Sequence, residues 1–188
     1  MNNRLTFSNT LVIVSTIATF LVILFPNLYA FGMNNFFLNQ GLYHIYVIQF
    51  FTGSFLHGGI THLLFNSLFL YVFGNIVEGL MGRKKYIIFF VFVTVFNGVL
   101  LSLVNQGNTV GISGFCMALL SFYTLELRSR NNPEYKGGIT AIIINVGIGF
   151  VPGISLYGHL FGAIGGVIFY LLTKDFFRPK YVGLDVEV

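Results

Sequence analysis

Apolar residues run along this chain in stretches longer than a soluble core requires, and polar residues fall between them in short clusters. The first run, Leu11 to Ala30, is about 20 residues, enough at ~1.5 Å per residue to cross a ~30 Å hydrocarbon core. It outruns the roughly 7 to 15 apolar residues of a cleavable leader, so Arg4 precedes a span rather than opening a signal peptide. Five further runs follow, and the pattern predicts spans at about 11–30, 62–80, 86–104, 113–127, 138–151 and 159–173. Between the first two, residues 31–57 carry no charge but mix Asn34, Asn35, Asn39, Gln40 and His44 with recurrent aromatics. That composition predicts a loop with short helices lying in the membrane interface. Turn chemistry closes the other connections: Asn105 to Thr109, Asn131 to Lys136, and Pro152-Gly153. The expectation is one all-α, polytopic, membrane-embedded domain over 1–188, a bundle of six transmembrane helices.

Composition agrees. The chain is 55% hydrophobic and only 9% charged, against roughly a quarter charged in soluble domains. A net charge of +4 would invite nucleic acid, yet no soluble segment carries a basic stripe, so none is expected as a partner; the partner is the bilayer. The positive charges report topology instead. Arg4, then Arg83/Lys84/Lys85, then Arg128/Arg130/Lys136, then Lys174/Arg178/Lys180 are all the Lys and Arg of the chain. With six spans they fall on one side, which makes both termini cytoplasmic. The lone Cys116 leaves no intramolecular disulfide, and no Cys/His cluster has zinc spacing.

The same count compares depths. Fifteen positions separate Ser113 from Arg128, and fifteen separate His159 from Lys174, so each side chain sits ~22 Å above its basic anchor. Asn66, seventeen before Arg83, lands at ~25 Å by the same arithmetic. Three polar groups from three helices thus share one layer below the outer surface, where each needs a partner or a task.

A serine in Gly111-Ile112-Ser113-Gly114 could be only a small residue at a helix contact. His159 at the same depth supplies what a hydroxyl needs to become a nucleophile, a base. Gly114 and Ala118 flatten one face of the fourth span, Gly162 and Gly166 the face of the sixth that carries His159, and such faces let backbones approach closely. His62 and Asn66, four apart, share a helical face and, with the Ser113 N–H at its helix start, are candidate donors to an oxyanion. Packing, capping and interhelical bonding are the plainer readings of the same residues. His57 and His62 are five apart without an intervening glutamate, unlike the two ligands of an HExxH zinc site; His57 is expected to hold the preceding loop. Glu78 and Glu126 lie too far toward the basic side to orient His159, which predicts a Ser/His dyad. A transporter using midplane histidines fits poorly, since the polar layer lies near one surface and holds no acid.

Together, His57-xxxx-His62-xxx-Asn66, Gly111-x-Ser113-Gly114 and His159-xx-Gly162-xxx-Gly166, in that order, closely resemble the rhomboid family of intramembrane serine proteases, over roughly Gln49 to Thr173. Glu78 stands where that family commonly has glutamate. The resemblance implies a rhomboid-like bundle with Ser113 as nucleophile, His159 as general base and acid, and His62 and Asn66 as the oxyanion pair. It implies single-span membrane proteins as substrates, no cofactor and no metal, and a lid over 149–158 with the fifth span as a lateral gate. A catalytically silent relative that binds transmembrane helices is the alternative. The compact form fits a bacterial plasma membrane. Two positions depart from the pattern. Many members carry Trp-Arg in the first loop, where this chain has Ile48-Gln49, which predicts a weaker loop anchor. Many place a tyrosine under the histidine, four after the serine, where this chain has Met117, which predicts a less firmly oriented His159 and a slower enzyme.

Overall fold

The computed structural model describes residues 5–104 and 107–177. Arg4, Arg178 and Lys180, used in the charge count, and Asn105 and Gln106 of the third loop lie outside them. Among the described residues the regular elements are all helical: α1 Phe7–Leu24, α2 Phe36–Asn39, α3 Tyr43–Phe55, α4 Ile60–Phe69, α5 Asn75–Met81, α6 Arg83–Leu103, α7 Ser113–Ser129, α8 Tyr135–Ile148 and α9 Leu156–Phe177.

Helix α1 starts earlier than the apolar run because Thr6 caps it, its Oγ1 accepting from Asn9 N at 3.2 Å. It stops at Leu24 rather than Ala30, because Pro26 disfavours a helical Phe25; Pro26–Phe31 forms a separate 3-10 turn. The interfacial loop resolves into α2 and α3. The second span is not one regular helix: α4 and α5 are joined through a π turn at Leu70–Gly74. Gly74 there faces Ser8 and Tyr86 so closely that a Cβ would fall 2.8 Å from both hydroxyl oxygens.

Among the described residues four helical stretches are long and apolar enough to cross a membrane: α1, Ile60–Met81, α6, and Leu156–Asp175 of α9. At 17 and 14 residues, α7 and α8 are shorter than the ~20 a full crossing takes. Helix α7 is the hub. Phe115, Met117, Ala118, Leu119, Leu120 and Phe122 are all buried, and an aromatic cluster of Tyr86, Phe89, Phe90 and Phe169 closes on Phe115 and Phe122. Outward faces carry exposed Ile, Leu, Val and Phe, as lipid requires.

At the end bearing Arg83, Glu78 accepts from the Phe7 and Ser8 amides at 2.8 Å each, satisfying first-turn donors of α1 with a charge matched to the helix dipole. Ser8 donates to Tyr86 at 2.7 Å, and Arg83 donates to the Leu5 carbonyl at 3.0 Å. The start of α1 and the α5–α6 junction therefore sit at one end of the bundle.

Candidate active site

The loop before α7 is clamped in place by backbone bonds. Met33 and Thr109 exchange a pair, N to O at 2.8 Å and 2.9 Å, and the Gly111 amide donates to the Gly53 carbonyl at 2.8 Å. Gly111 then turns with φ +115°, and a Cβ there would lie 2.6 Å from the His62 Cε1 and 2.8 Å from its Nε2. Both conformation and space demand glycine, and the result is Ser113 at the first position of α7 with His62 beside the turn. Ile112, the residue preceding the helix, offers no side-chain acceptor, so the first-turn amides of α7 are left for another partner.

Helix α9 brings His159 to the same place. Ser155 starts it, its Oγ accepting from Gly158 N at 3.0 Å. Gly162 presses on Gly114, whose Cα and carbonyl carbon would lie 2.8 and 2.7 Å from an added Cβ; Gly166 presses on Ala118, 2.7 Å from its Cα by the same measure. The small-residue faces read from the sequence are thus apposed, backbone to backbone. A Cβ on Gly114 would strike the Asn97 amide of α6, and Asn97 also donates to the Gly158 carbonyl at 3.3 Å.

Ser113, His159 and His62 line one cavity of about 270 Å³, with Tyr29, Asn108, Ile154 and Ser155 among its other walls. His159 is buried, and its Nδ1 lies 2.8 Å from the Asn145 carbonyl in α8. A carbonyl only accepts, so Nδ1 carries the proton and Nε2 keeps the lone pair. The Ser113 hydroxyl and His159 share the cavity wall without a hydrogen bond between them. Asn66 is not on that wall. It lies one layer behind, its Nδ2 buried without a partner and 3.5 Å from where a Gly111 Cβ would be.

His57 is buried in the loop between α3 and α4, outside the spans. Its Nδ1 meets Thr19 Oγ1 at 3.2 Å and the Phe55 carbonyl at 3.1 Å, and its ring sits edge-on to His62 with centroids 5.0 Å apart. Burial above all, then the neighbouring His62, pushes its pKa down to about 4 against the pull of the Phe55 carbonyl. The loop anchor, expected to be weak, is firm: Gln49 is fully buried and donates to the Ala30 carbonyl at 3.0 Å and the Gly32 carbonyl at 2.5 Å. Ile48 points outward, half exposed. Met117 is buried with Leu120 and Ala163, against Ala141, Ile142 and Val146 of α8.

Three contributors escaped the sequence reading. Asn145 acts through its main chain, which no side-chain motif announces. Asn97 belongs to no motif of the sequence, yet it faces a second cavity of about 30 Å³ behind Ser113, where its Oδ1 and the Thr94 hydroxyl are buried without partners. Ser155 carried a readable signal, a hydroxyl three residues before a glycine at a helix start. Among the described residues no His/Cys/Asp/Glu group could hold a metal.

A fold of apolar helices around a polar cavity holding a serine and a histidine defines the class, an integral membrane protein of the rhomboid type. A family model described as "Rhomboid domain" matches residues 44–175, and the chain belongs to that family. It is 29% identical over 160 residues, 82% of this chain and 89% of the other, to L523 of Acanthamoeba polyphaga mimivirus, a protein named as a rhomboid. It is 24% identical over 133 residues to the rhomboid protease GlpG of Haemophilus influenzae, covering 65% of this chain and 67% of GlpG. RHOMBOID-like protein 1 of Arabidopsis thaliana is 32% identical over 144 residues, 72% of this chain and 36% of the plant protein.

Proposed function

We propose that this chain is an intramembrane serine endopeptidase that cuts single-span membrane proteins in or near their transmembrane segment. The observation that carries the reading is the shared cavity: Ser113 and His159, from two helices locked together by glycine, face one polar space beside His62. In the reaction, His159 Nε2 takes the Ser113 proton while the hydroxyl oxygen attacks the peptide carbonyl carbon. The oxyanion is held by the Ser113 amide with His62 on the cavity wall; Asn66, whose Nδ2 is spare in the layer behind, joins them when substrate fills the cavity. The protonated His159 then gives its proton to the leaving amine, and water hydrolyses the acyl-enzyme by the same cycle. The gap between hydroxyl and imidazole closes when substrate fills the cavity, as such contacts do in Michaelis complexes.

The chain works as one domain of six membrane-embedded helices, α1, the α4–α5 unit, α6, α7, α8 and α9, with the basic end and both termini in the cytoplasm. The segment 149–158 is the lid, its last three residues already in the first turn of α9. A silent relative that binds helices without cutting is the second reading, favoured by the missing Ser113–His159 bond. Reconstitution with a single-span substrate separates them. Cleavage abolished by both Ser113→Ala and His159→Ala, with fluorophosphonate labelling of the wild type alone, supports the protease. Full-rate cleavage by Ser113→Ala overturns it, and no cleavage or labelling by the wild type selects the silent relative.

A further inference from the structure

A dyad without a carboxylate must obtain the orientation of its histidine elsewhere, and α8 supplies it. The Asn145 carbonyl would ordinarily accept from the Gly149 amide four residues on. Instead α8 ends in a tightened turn: Gly149 N bonds to Val146 O at 2.9 Å, Phe150 N to Gly147 O at 3.1 Å and Val151 N to Ile148 O at 2.8 Å. The carbonyl so released accepts a hydrogen bond from His159 Nδ1–H at 2.8 Å. Two further contacts define this end of α8. The Asn145 side-chain Nδ2 donates back to the Ala141 carbonyl of the same helix at 2.8 Å, and Gly149 lies against Leu156 of α9, a Cβ there falling 2.9 Å from Leu156 N and closer still to its Cα.

The helix that holds the base is itself only partly covered. No residue of α8 is buried, whereas α7 is buried along nearly its whole length. Ile143 and Ile144 of α8 are 66% and 56% exposed, so its displacement leaves the buried core of α7 largely intact.

We propose that the main-chain carbonyl of Asn145 is the positioning group for His159, in the place a carboxylate takes in a triad, and that the seat of α8 against α9 sets the tautomer of the base. With α8 seated, Nδ1–H is fixed and Nε2 is free to take the Ser113 proton; the Nδ1–H then stays paired as the ring becomes imidazolium. With α8 displaced, either nitrogen can carry the proton and half the rotational constraint is gone. The role in catalysis rests on the protease reading; the tautomer does not.

The test is the ¹⁵N chemical shift of the two His159 ring nitrogens in the full chain in detergent, assigned by comparison with His159→Gln. The expected result is a neutral ring protonated at Nδ1, in the wild type and equally in Ser113→Ala. Gly149→Val, whose side chain would push the end of α8 from Leu156, is expected to give a mixture with the Nε2–H form. It should also lower kcat, with KM little changed, by about 100-fold. Ile143→Ala, on the exposed face, should change neither reading. A wild-type ring protonated at Nε2 overturns the proposal whatever the variants do, and so does a Gly149→Val ring that keeps the wild-type tautomer. Should the wild type cut nothing while its ring is protonated at Nδ1, the protease reading falls and the positioning contact stands.

Discussion

The contact between Gly162 and Gly114 makes the sharpest prediction, because it decides where the proposed nucleophile and base meet. In Gly162→Ala the new Cβ would lie 2.7 Å from the Gly114 carbonyl carbon and 2.8 Å from its Cα. Both are backbone atoms, so no side chain can swing aside. Restoring ordinary van der Waals contact at ~3.6 Å requires α7 and α9 to separate by about 1 Å, and overpacking of this kind costs about 1 to 3 kcal/mol. A 1 Å misplacement of reacting groups costs about 100-fold in rate. The expected outcome is a lowered Tm in detergent and a kcat/KM for a single-span substrate reduced by about 100-fold. Gly79→Ala is the matched control: it lies inside α5 with nothing within 4 Å of its Cβ position, and gains up to about 1 kcal/mol of helix propensity. If Gly162→Ala kept the Tm and kcat/KM of Gly79→Ala, the claim that glycine-to-glycine apposition sets the dyad would be wrong.

Gln49→Ala removes the donor shared by the Ala30 and Gly32 carbonyls and should lower stability by about 1 to 3 kcal/mol, read as a Tm loss with faster proteolysis in the 26–34 segment. Glu78→Gln keeps one acceptor where two amides need one each, and should destabilise the fold by roughly 2 kcal/mol, seen as earlier fraying of α1 in hydrogen exchange. His57, whose pKa falls from 6.5 to about 4 on burial, makes stability pH-dependent. The unfolded chain takes the proton first, so stability declines as pH drops from about 6.5 to about 4 and is level with respect to this group below that, a total of about 3 kcal/mol. His57→Gln should flatten that part of the profile, and parallel profiles for the two proteins would contradict the assignment.

Several features were legible because they depend on local order alone. Apolar run length marks helices that must lie in lipid, and the spacing of Gly114/Ala118 and Gly162/Gly166 marks faces that can meet. Helix rise carried Ser113 and His159 to one level, since distance along a helix is proportional to residue count. The ends of elements were less legible: the reading missed the Thr6 cap and ran the first span through Pro26, and it took the π turn at Leu70–Gly74 for regular helix, a turn that no residue pattern announced.

Other features belong to the fold alone. Gln49 looked like a loss of the loop anchor by residue type, and only its burial against the two carbonyls shows that it holds the loop. Asn66 shares a face with His62 by spacing, yet the turn at Gly111 puts one on the cavity wall and the other behind it. His159 Nδ1 is paired with a main-chain carbonyl, and every residue, proline included, offers the same carbonyl. Residue identity therefore determined which side chains are available for chemistry and at what level along their helices they stand. Which nitrogen of the imidazole is free depends on how the end of α8 tightens and where it rests, a consequence of packing between segments that one-dimensional spacing does not encode.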